Sequence, residues 1–270
     1  MVDMNAEIGG TWFANSYPGS CCDAPIHLYA YSFEPKSDWK NTYASQAEIL
    51  EYLKHVCIKY SLYDKIRLKH QVLRIQFIKS KKLWSVSFKN LENQNEFQED
   101  FNIVILGTGI LRSPKIPREF DSFEGPIFHT AKWDHDCNLK NKVLAVIGVG
   151  SSGIQVIPEL AKIAKKVIIY QRRPSWMLPK ENKSYNVLAK LGFQFFPIFQ
   201  YVYRHWWYSY FEKFWNSMRP GTKTAEMLTQ EANKFRDKNL KISQNCCTSK
   251  FQMTRLGVKE SYSQMIIFPL

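Results

Sequence analysis

A glycine-rich turn near the middle of the chain has the spacing that binds the pyrophosphate of a dinucleotide. The apolar run at 142–147 predicts a strand that leads into a G-x-G-x-x-G turn, and a helix is predicted at 154–163. In such a unit the first glycine turns the chain, the second lets phosphates approach the backbone, and the third lets the helix pack on the strand. The helix N-terminus adds N–H groups and partial positive charge. The residues expected to contact a cofactor here are Gly148, Gly150, Ser151, Ser152, Gly153 and Gln155.

Two arginines after the next predicted strand indicate which dinucleotide is bound. The strand is predicted at 166–170, and Arg172 and Arg173 follow about 20 residues after the glycines, where the ribose-sensing residue belongs. An acid there would bind the 2′-hydroxyl of NAD, whereas an arginine fork suits the 2′-phosphate of NADP. Taken alone, the glycine motif could be a structural turn, and the two arginines could be a surface pair. Together the strand, spacing, glycines and arginines predict an NADP(H) site.

A third pattern lies just before the glycine turn. It reads F-x-G-x-x-x-H-x-x-x-W-D over residues 123–134. Taken singly, the histidine would be a satisfied core residue and the tryptophan a packed indole. Followed by the glycine turn, the pattern resembles the fingerprint of Baeyer–Villiger monooxygenases, flavoenzymes that use NADPH and O2. The resemblance implies that Phe123, Gly125, His129 and Trp133 belong to a linker that couples domain rotation to catalysis, with conformational control rather than proton transfer as their role.

The N-terminal segment is similar to the flavin-contacting stretch of the same family, where a strand-end acid precedes G-G-T-W and an N-R-Y-P-G-x-x-C-D run. This chain has D-M-N-A-E-I-G-G-T-W over 3–12 and N-S-Y-P-G-S-C-C-D over 15–23. By that resemblance Asp3 holds the FAD ribose, and Asp23 lies by the isoalloxazine as the catalytic residue. Read alone, Asp23 could be a simple turn or cap residue. The other expected FAD contacts are Gly10, Thr11, Trp12, Tyr29, Val72 and the flavin/NADP hinge residues Gly107, Thr108 and Gly109.

The sequence departs from the family pattern at both ends. A second G-x-G-x-x-G unit, whose roughly 30 residues would cradle the FAD pyrophosphate, is expected ahead of Asp3 and is absent from the sequence. After Ile242 the family's loop with a catalytic arginine does not appear. That cation would stabilise an anionic flavin C4a-peroxide, and Asp23 would hold it in place. Arg255 is a possible substitute whose register does not support the role, and Ser16 replaces the arginine of the N-R-Y-P-G run.

These motifs predict an α/β fold with two dinucleotide-binding, Rossmann-like domains, the FAD domain incomplete and the NADP domain inserted after a linker. The expected limits are 1–120 for the partial FAD-binding domain and 121–139 for the fingerprint linker. An NADP-binding domain with a helical insertion is expected at 140–242, followed by a divergent tail at 243–270.

Hydrophobic periodicity predicts the other elements of the first domain. Apolar residues at helical spacing indicate a helix over 46–60. Alternating runs at 72–77 and 83–88 indicate an antiparallel pair joined by a basic turn. The continuous apolar run at 101–106 is typical of a strand buried in a parallel sheet.

The amino-acid composition limits the classes of binding partner and the cellular compartment that we expect. The formal net charge of +13 raises nucleic acid or anionic membrane as partners, but the basic residues are scattered, and no zinc knuckle, helix-turn-helix or RRM signature accompanies them. We therefore expect a basic surface with a site for an anionic dinucleotide. The six cysteines have neither metal-ligand nor disulfide spacing, which indicates a reducing compartment and no metal. The first residues lack a signal-peptide pattern, so we expect a cytoplasmic protein.

An aromatic-rich segment over 186–216 permits two interpretations. Packed helices lining a domain groove are favoured over a membrane-surface helix, and charged residues interrupt any run long enough to span a bilayer. The resemblance implies oxygen insertion next to the carbonyl of a ketone. Two alternatives stay open, a related flavin-containing monooxygenase acting on nitrogen or sulfur and a non-catalytic fragment that binds only NADP(H). A nucleic-acid-binding module rests on net charge alone, and the pattern leaves the substrate unassigned.

Overall fold

The computed structural model describes residues 1–109, 113–171, 177–215, 221–239, 252–254 and 265–267. The chain divides into two units. Unit 1 comprises Met1–Ser16 and Ala47–Phe123, and unit 2 comprises Tyr17–Gln46 and Glu124–Leu270. The division after Phe123 falls inside the expected linker, whereas residues 17–46 group with unit 2. The domain limits expected from the sequence remain a prediction.

Three helices lie within the first 60 residues of the chain. The short helix α1 spans Thr11–Ala14, and α3 spans Gln46–Lys59, which confirms the predicted helix; between them α2 spans Ile26–Tyr29 in unit 2. The inward stripe of α3 buries Ile49, Tyr52 and Val56, as its helical spacing predicts. Gly9 has a positive φ of 119°, and a Cβ there would collide with the side chain of Leu50. The positive φ therefore favours glycine at residue 9, in the turn before α1.

The sheet of unit 1 is an antiparallel three-stranded meander. Its strands are β1 (His70–Ile78), β2 (Leu83–Asn90) and β3 (Glu96–Phe101), and their order in the sheet is β1-β2-β3. This confirms the predicted antiparallel pair, which extends beyond the alternating runs at both ends. Val86 and Phe88 are the buried apolar residues of β2, and Phe88 stacks on Phe97 of β3 with ring centroids 5.3 Å apart.

The strand predicted at 101–106 is wrong. Phe101 ends β3, and in the described part of the chain residues 103–109 belong to no strand. The side chains of Ile103 and Ile105 are 76% and 88% exposed. A strand in the interior of a parallel sheet needs a neighbour on each edge and cover on each face. Unit 1 provides an antiparallel meander instead, so this apolar run has no ladder to join.

Unit 2 contains the predicted strand–turn–helix–strand. Strand β4 spans Val143–Ile147, helix α4 spans Ser151–Ile163, and β5 spans Lys166–Gln171, pairing in parallel with β4 from Val143↔Lys166 to Ile147↔Tyr170. The helix begins three residues before the predicted start because Gly153 lies inside its first turn. The inner face of α4 buries apolar side chains, which are Ile154, Val156, Ile157 and Leu160.

Helices and short strands complete unit 2. Strand β6 (Met177–Pro179) precedes helices α5 (Val187–Phe195), α6 (Pro197–Trp215) and α7 (Lys223–Asn239), and two further strands are β7 (Gln252–Thr254) and β8 (Met265–Ile267). β7 pairs antiparallel with β5, and β8 with β6. Helices α5 and α6 coincide with the predicted aromatic helices and line an open apolar depression formed by Phe193, Ile198, Phe199, Val202, Tyr203 and Trp206. Among the described residues, no helix combines the length and the apolar character needed to cross a bilayer.

Candidate functional site

Backbone contacts hold the glycine turn between β4 and α4 in place. Gly148 has a positive φ of 95°, and its N–H donates to the carbonyl of Tyr170 at 2.8 Å, which ties the turn to the end of β5. A Cβ on Gly153 would lie 2.6 Å from the carbonyl oxygen of Gly148. The third glycine of the motif therefore has the packing role that the sequence assigns to it.

The outer side of the same turn is open. A Cβ added at Gly148 or Gly150 would meet no heavy atom within 4 Å. Gly150 caps α4 without a side-chain hydrogen bond, so the N–H groups of the first turn are not taken by a capping side chain. Ser151 is exposed and Ser152 half-buried. Backbone N–H groups at the positive end of a helix dipole, next to space cleared by glycines, fit a pyrophosphate.

The two arginines expected at the 2′-phosphate lie outside the described residues. Strand β5 ends at Gln171, and Arg172 and Arg173 follow it directly in the sequence. Their role as the NADP-selective fork stays a prediction.

Gln155, expected to contact the cofactor, uses its side-chain amide to hold another segment of unit 2. Its Oε1 accepts from the hydroxyl of Tyr17 at 2.8 Å and from the backbone N–H of Cys21 at 3.4 Å. Its Nε2 donates to the carbonyl of Cys21 at 3.0 Å. Gly19 (φ 81°) lies so close that a Cβ would be 2.5 Å from the carbonyl oxygen of Gln155. The Y-P-G segment is thus clamped on α4, and a cofactor contact by Gln155 stays a prediction.

The clamped segment continues to Asp23 and Tyr29. Asp23 is exposed and follows the buried Cys22 directly. Among the described residues, no hydrogen-bond or ion-pair partner of its carboxylate is found. Tyr29 ends α2 with its ring 49% exposed. Both side chains are accessible to a ligand, as the expected isoalloxazine contact requires.

A buried polar cluster fixes the base of α2, and the sequence reading missed it. His27 is 2% exposed, and its Nδ1 lies 3.2 Å from Nε2 of Gln200 on α6. Arg204, one turn further along α6, donates to the carbonyls of His27 and Ala30 at 2.8 and 2.7 Å. Burial, and then the charge of Arg204, lower the pKa of His27 to about 4, so the ring is neutral at pH 7. The one sequence signal is the i, i+4 spacing of Gln200 and Arg204 on a helix otherwise rich in aromatics.

The residues of the expected linker have separate local roles. Trp133 packs against the buried cluster of Tyr17, Val156 and Leu160. His129 is exposed rather than buried, and its Nδ1 accepts from the N–H of Ala131 at 3.0 Å. Trp133 therefore anchors the segment to α4, while His129 caps the short turn that leads to it.

The flanking linker residues differ in their surroundings. Phe123 closes unit 1 with its ring 61% exposed, whereas Gly125 is half-buried in unit 2. The conformational role expected for these residues and for His129 and Trp133 remains a prediction.

In unit 1 the structure brings Asp3 close to Val72. The Asp3 backbone accepts from the N–H of His70 at 3.0 Å, two residues before Val72 on β1. The Asp3 carboxylate accepts from the N–H of Asn5 at 2.8 Å, the geometry of an Asx turn. Val72 is 41% exposed and lies at an irregularity in the register of β1. An acid and an exposed apolar side chain at one edge suit a ribose and its base.

The glycines expected around FAD in unit 1 face open space. A Cβ at Gly10, Gly107 or Gly109 would meet no heavy atom within 4 Å. Thr11 and Thr108 are exposed, and Trp12 is half-buried. The backbone at these positions is accessible to a ligand. In the described residues, no group of three His, Cys, Asp or Glu side chains could hold a metal ion.

Comparison with known proteins identifies similar chains. The family model described as flavin-binding monooxygenase-like matches residues 14–201. A Baeyer–Villiger monooxygenase of Pseudomonas aeruginosa is 36% identical over 214 residues, covering 78% of this chain and 40% of the relative. An FAD-binding monooxygenase of Aspergillus niger, ktnD, is 32% identical over 249 residues, covering 87% of this chain and 40% of the relative.

Solved structures give the same result. The crystal structure of cyclohexanone monooxygenase from Rhodococcus sp. Phi1 bound to NADP⁺ superposes with a TM-score of 0.65 at 31% identity, covering 77% of this chain and 38% of that one. The chain thus spans about 40% of the length of the curated relatives it matches.

Proposed function

The chain belongs to the flavin-binding monooxygenase-like family, and we propose that it functions as an FAD- and NADPH-dependent monooxygenase of Baeyer–Villiger type. Such an enzyme inserts one oxygen atom of O2 next to the carbonyl of a ketone. The single observation that carries the proposal is the open glycine turn at the N-terminus of α4, with Trp133 of the fingerprint packed on that helix.

NADPH would be held by unit 2. The N–H groups of the first turn of α4 would receive the pyrophosphate, since the space beside Gly148 and Gly150 is open. Arg172 and Arg173, directly after β5, would receive the 2′-phosphate and so select NADPH over NADH.

Each unit holds residues that the family resemblance assigns to FAD. When bound and reduced by NADPH, FAD supplies the activation of O2. In unit 1, Asp3 would accept hydrogen bonds from the ribose, and the open backbone at Gly10 and Gly107–Gly109 admits the cofactor. In unit 2, the exposed carboxylate of Asp23 would hold the cation that stabilises negative charge on the reacting oxygen, and the family's arginine for this role does not appear in this sequence. The hydrogen bonds of Gln155 to Tyr17 and Cys21 support this proposal, because they hold the segment that leads to Asp23.

A second candidate is a chain that binds NADP(H) alone. Its support is that the glycine turn is formed within unit 2, while the second G-x-G-x-x-G unit expected for the FAD pyrophosphate does not appear in the sequence. The nitrogen- or sulfur-oxygenating alternative uses the same two cofactors, so only a comparison of substrates would separate it from ketone oxidation.

The test is the visible spectrum of the purified chain after incubation with FAD and gel filtration, together with titrations of NADPH and NADH. We expect flavin bands to stay with the protein and NADPH to bind at least about tenfold more tightly than NADH, a preference that Arg172→Ala with Arg173→Ala removes. Retained flavin should bleach when NADPH is added. A colourless protein that binds NADPH supports the second candidate, and equal affinity for the two nucleotides contradicts the NADP(H) assignment.

A further inference from the structure

A cysteine and a buried lysine, neither of them assigned to a nucleotide, lie in contact in unit 2. The Nζ of Lys180 is 3.2 Å from the Sγ of Cys21, and the Lys180 side chain is 3% exposed. The same Nζ donates to the carbonyl of Cys22 at 2.8 Å and lies 4.3 Å from the ring centroid of Tyr43. We propose that Cys21 and Lys180 form a covalent sulfur–nitrogen cross-link when the protein is oxidised by hydrogen peroxide.

Both partners are held in place before any reaction. The backbone of Cys21 is gripped by the amide of Gln155 and pairs with Ser45 in an isolated β-bridge. Lys180 is held by the carbonyl of Cys22 and by the ring of Tyr43, whose backbone N–H and carbonyl are both bonded to the Asn182 side chain. A reaction between two fixed groups avoids most of the entropy cost of bringing them together.

The neighbouring cysteine is a poor competitor. Cys22 is 1% exposed, and burial raises the pKa of its thiol to about 12, so it remains protonated and shielded from oxidant. Cys21 is half-buried and open to a small oxidant. Among the cysteines that the structure describes, which are Cys21, Cys22, Cys57 and Cys137, only Cys21 has a lysine nitrogen in hydrogen-bond contact with its sulfur.

The chemistry takes two steps and needs only peroxide. In the first, the sulfur of Cys21 takes one oxygen from hydrogen peroxide, giving a sulfenic acid and water, and the sulfur is oxidised by two electrons. In the second, the ammonium group of Lys180 gives its extra proton to water, and the nitrogen lone pair then attacks the sulfur. The S–O bond breaks, the departing hydroxide takes a proton from the nitrogen to leave as water, and an S–N bond forms. The protein has then lost two hydrogen atoms and one positive charge.

The cross-link would join positions 159 residues apart in sequence. It would tie the segment that carries Asp23 to the residue that follows β6, and closing so long a loop restricts the unfolded chain. We therefore expect the oxidised protein to melt at a higher temperature than the reduced one. A thiol reductant should break the cross-link and restore the lower melting temperature.

The experiment treats the purified full chain with hydrogen peroxide, with and without dimedone to trap sulfenic acid, and maps the products by mass spectrometry. We expect a peptide pair joined through Cys21 and Lys180, lighter than the sum of its parts by two hydrogen atoms. Cys21→Ser and Lys180→Arg should abolish it, because a guanidinium keeps the charge but is a poor nucleophile. Lys180→Arg should also increase dimedone labelling of Cys21. Lys183→Arg, a lysine paired on the surface with Glu181, is the matched control and should leave the cross-link intact.

Two results would overturn the proposal. One is a disulfide between Cys21 and Cys22 as the product, which loses the same mass but survives in Lys180→Arg. The other is equal dimedone labelling of Cys21 in the wild-type chain and in Lys180→Arg. Circular dichroism verifies that each variant folds. If Lys180→Arg does not fold, the peptide map of the wild-type chain against Cys21→Ser decides alone, since it identifies the bonded atoms directly.

Discussion

Two glycines of unit 2 and two glycines of unit 1 differ in what lies beside them. In unit 2, Gly19 and Gly153 touch backbone carbonyls, so that a single added carbon would come within 2.5 and 2.6 Å of an oxygen. In unit 1, Gly107 and Gly109 face open space. The first pair is required for one piece of chain to pack on another. The second pair leaves the backbone accessible, which is what a ligand needs.

A second difference concerns two stretches of apolar side chains, one in each unit. The α4 helix buries its apolar face against its own unit, whereas Ile103 and Ile105 of unit 1 are exposed. Substitutions at these positions can therefore test the difference in packing, and substitutions in the glycine turn of unit 2 can separate folding from the proposed nucleotide binding.

The largest effect on stability is expected for Gly19→Ala. The substitution places a methyl group against the carbonyl of Gln155 at a positive φ of 81°, where neither backbone can yield. We expect a loss of about 4 kcal/mol in the free energy of unfolding, measured with urea. Gly109→Ala is the matched control, because its φ of 71° is equally unfavourable for alanine but the space is open. It should cost about 1 kcal/mol. Equal losses of stability at the two sites would show that the contact with the Gln155 carbonyl does not account for the cost of Gly19→Ala.

A second effect comes from the buried His27 in unit 2. Its pKa is about 4 in the folded protein, against a reference value of 6.5, because of burial and then Arg204. The unfolded state therefore binds the proton first as pH falls, so stability is fully present above pH 6.5 and declines toward pH 4. The loss can reach about 3 kcal/mol.

Urea unfolding at a series of pH values measures this decline. His27→Gln should flatten the slope between pH 6.5 and 4, while His129→Gln, which alters an exposed histidine, should leave it unchanged. An unchanged slope in His27→Gln would mean that the acid sensitivity of the protein arises at other groups.

A third pair of substitutions separates folding from binding within the glycine turn. Gly153→Ala should cost about 2 kcal/mol and weaken NADPH binding, because the methyl group meets the Gly148 carbonyl. Gly150→Ala adds its methyl group to open space at a φ of −71°. It should leave unfolding unchanged and still weaken NADPH binding by about tenfold, by obstructing the phosphates. Unchanged NADPH affinity in Gly150→Ala would place the dinucleotide elsewhere.

The elements predicted correctly are those whose partners lie nearby in sequence. The strand, turn and helix of 143–163 and the antiparallel pair of β1 and β2 follow from local periodicity and from glycine spacing. The His27 cluster could not be predicted, because the partners Gln200 and Arg204 lie 173 and 177 residues away. The side chain of Gln155 shows the same limit, since its contacts with Tyr17 and Cys21 depend on how a distant segment packs.

The smallest effect tests the apolar run that forms no strand. Ile105 is 88% exposed, so Ile105→Ser should change the free energy of unfolding by less than about 0.5 kcal/mol. Ile169→Ser is the contrast, because Ile169 lies in the middle of β5 and is 1% exposed. Removing its buried side chain and adding a hydroxyl should cost about 3 kcal/mol. If Ile105→Ser were as destabilising as Ile169→Ser, the run at 101–106 would have to be packed in a sheet in solution. The contrast between the exposed run of unit 1 and the buried face of α4 in unit 2 would then disappear, because both stretches would be buried.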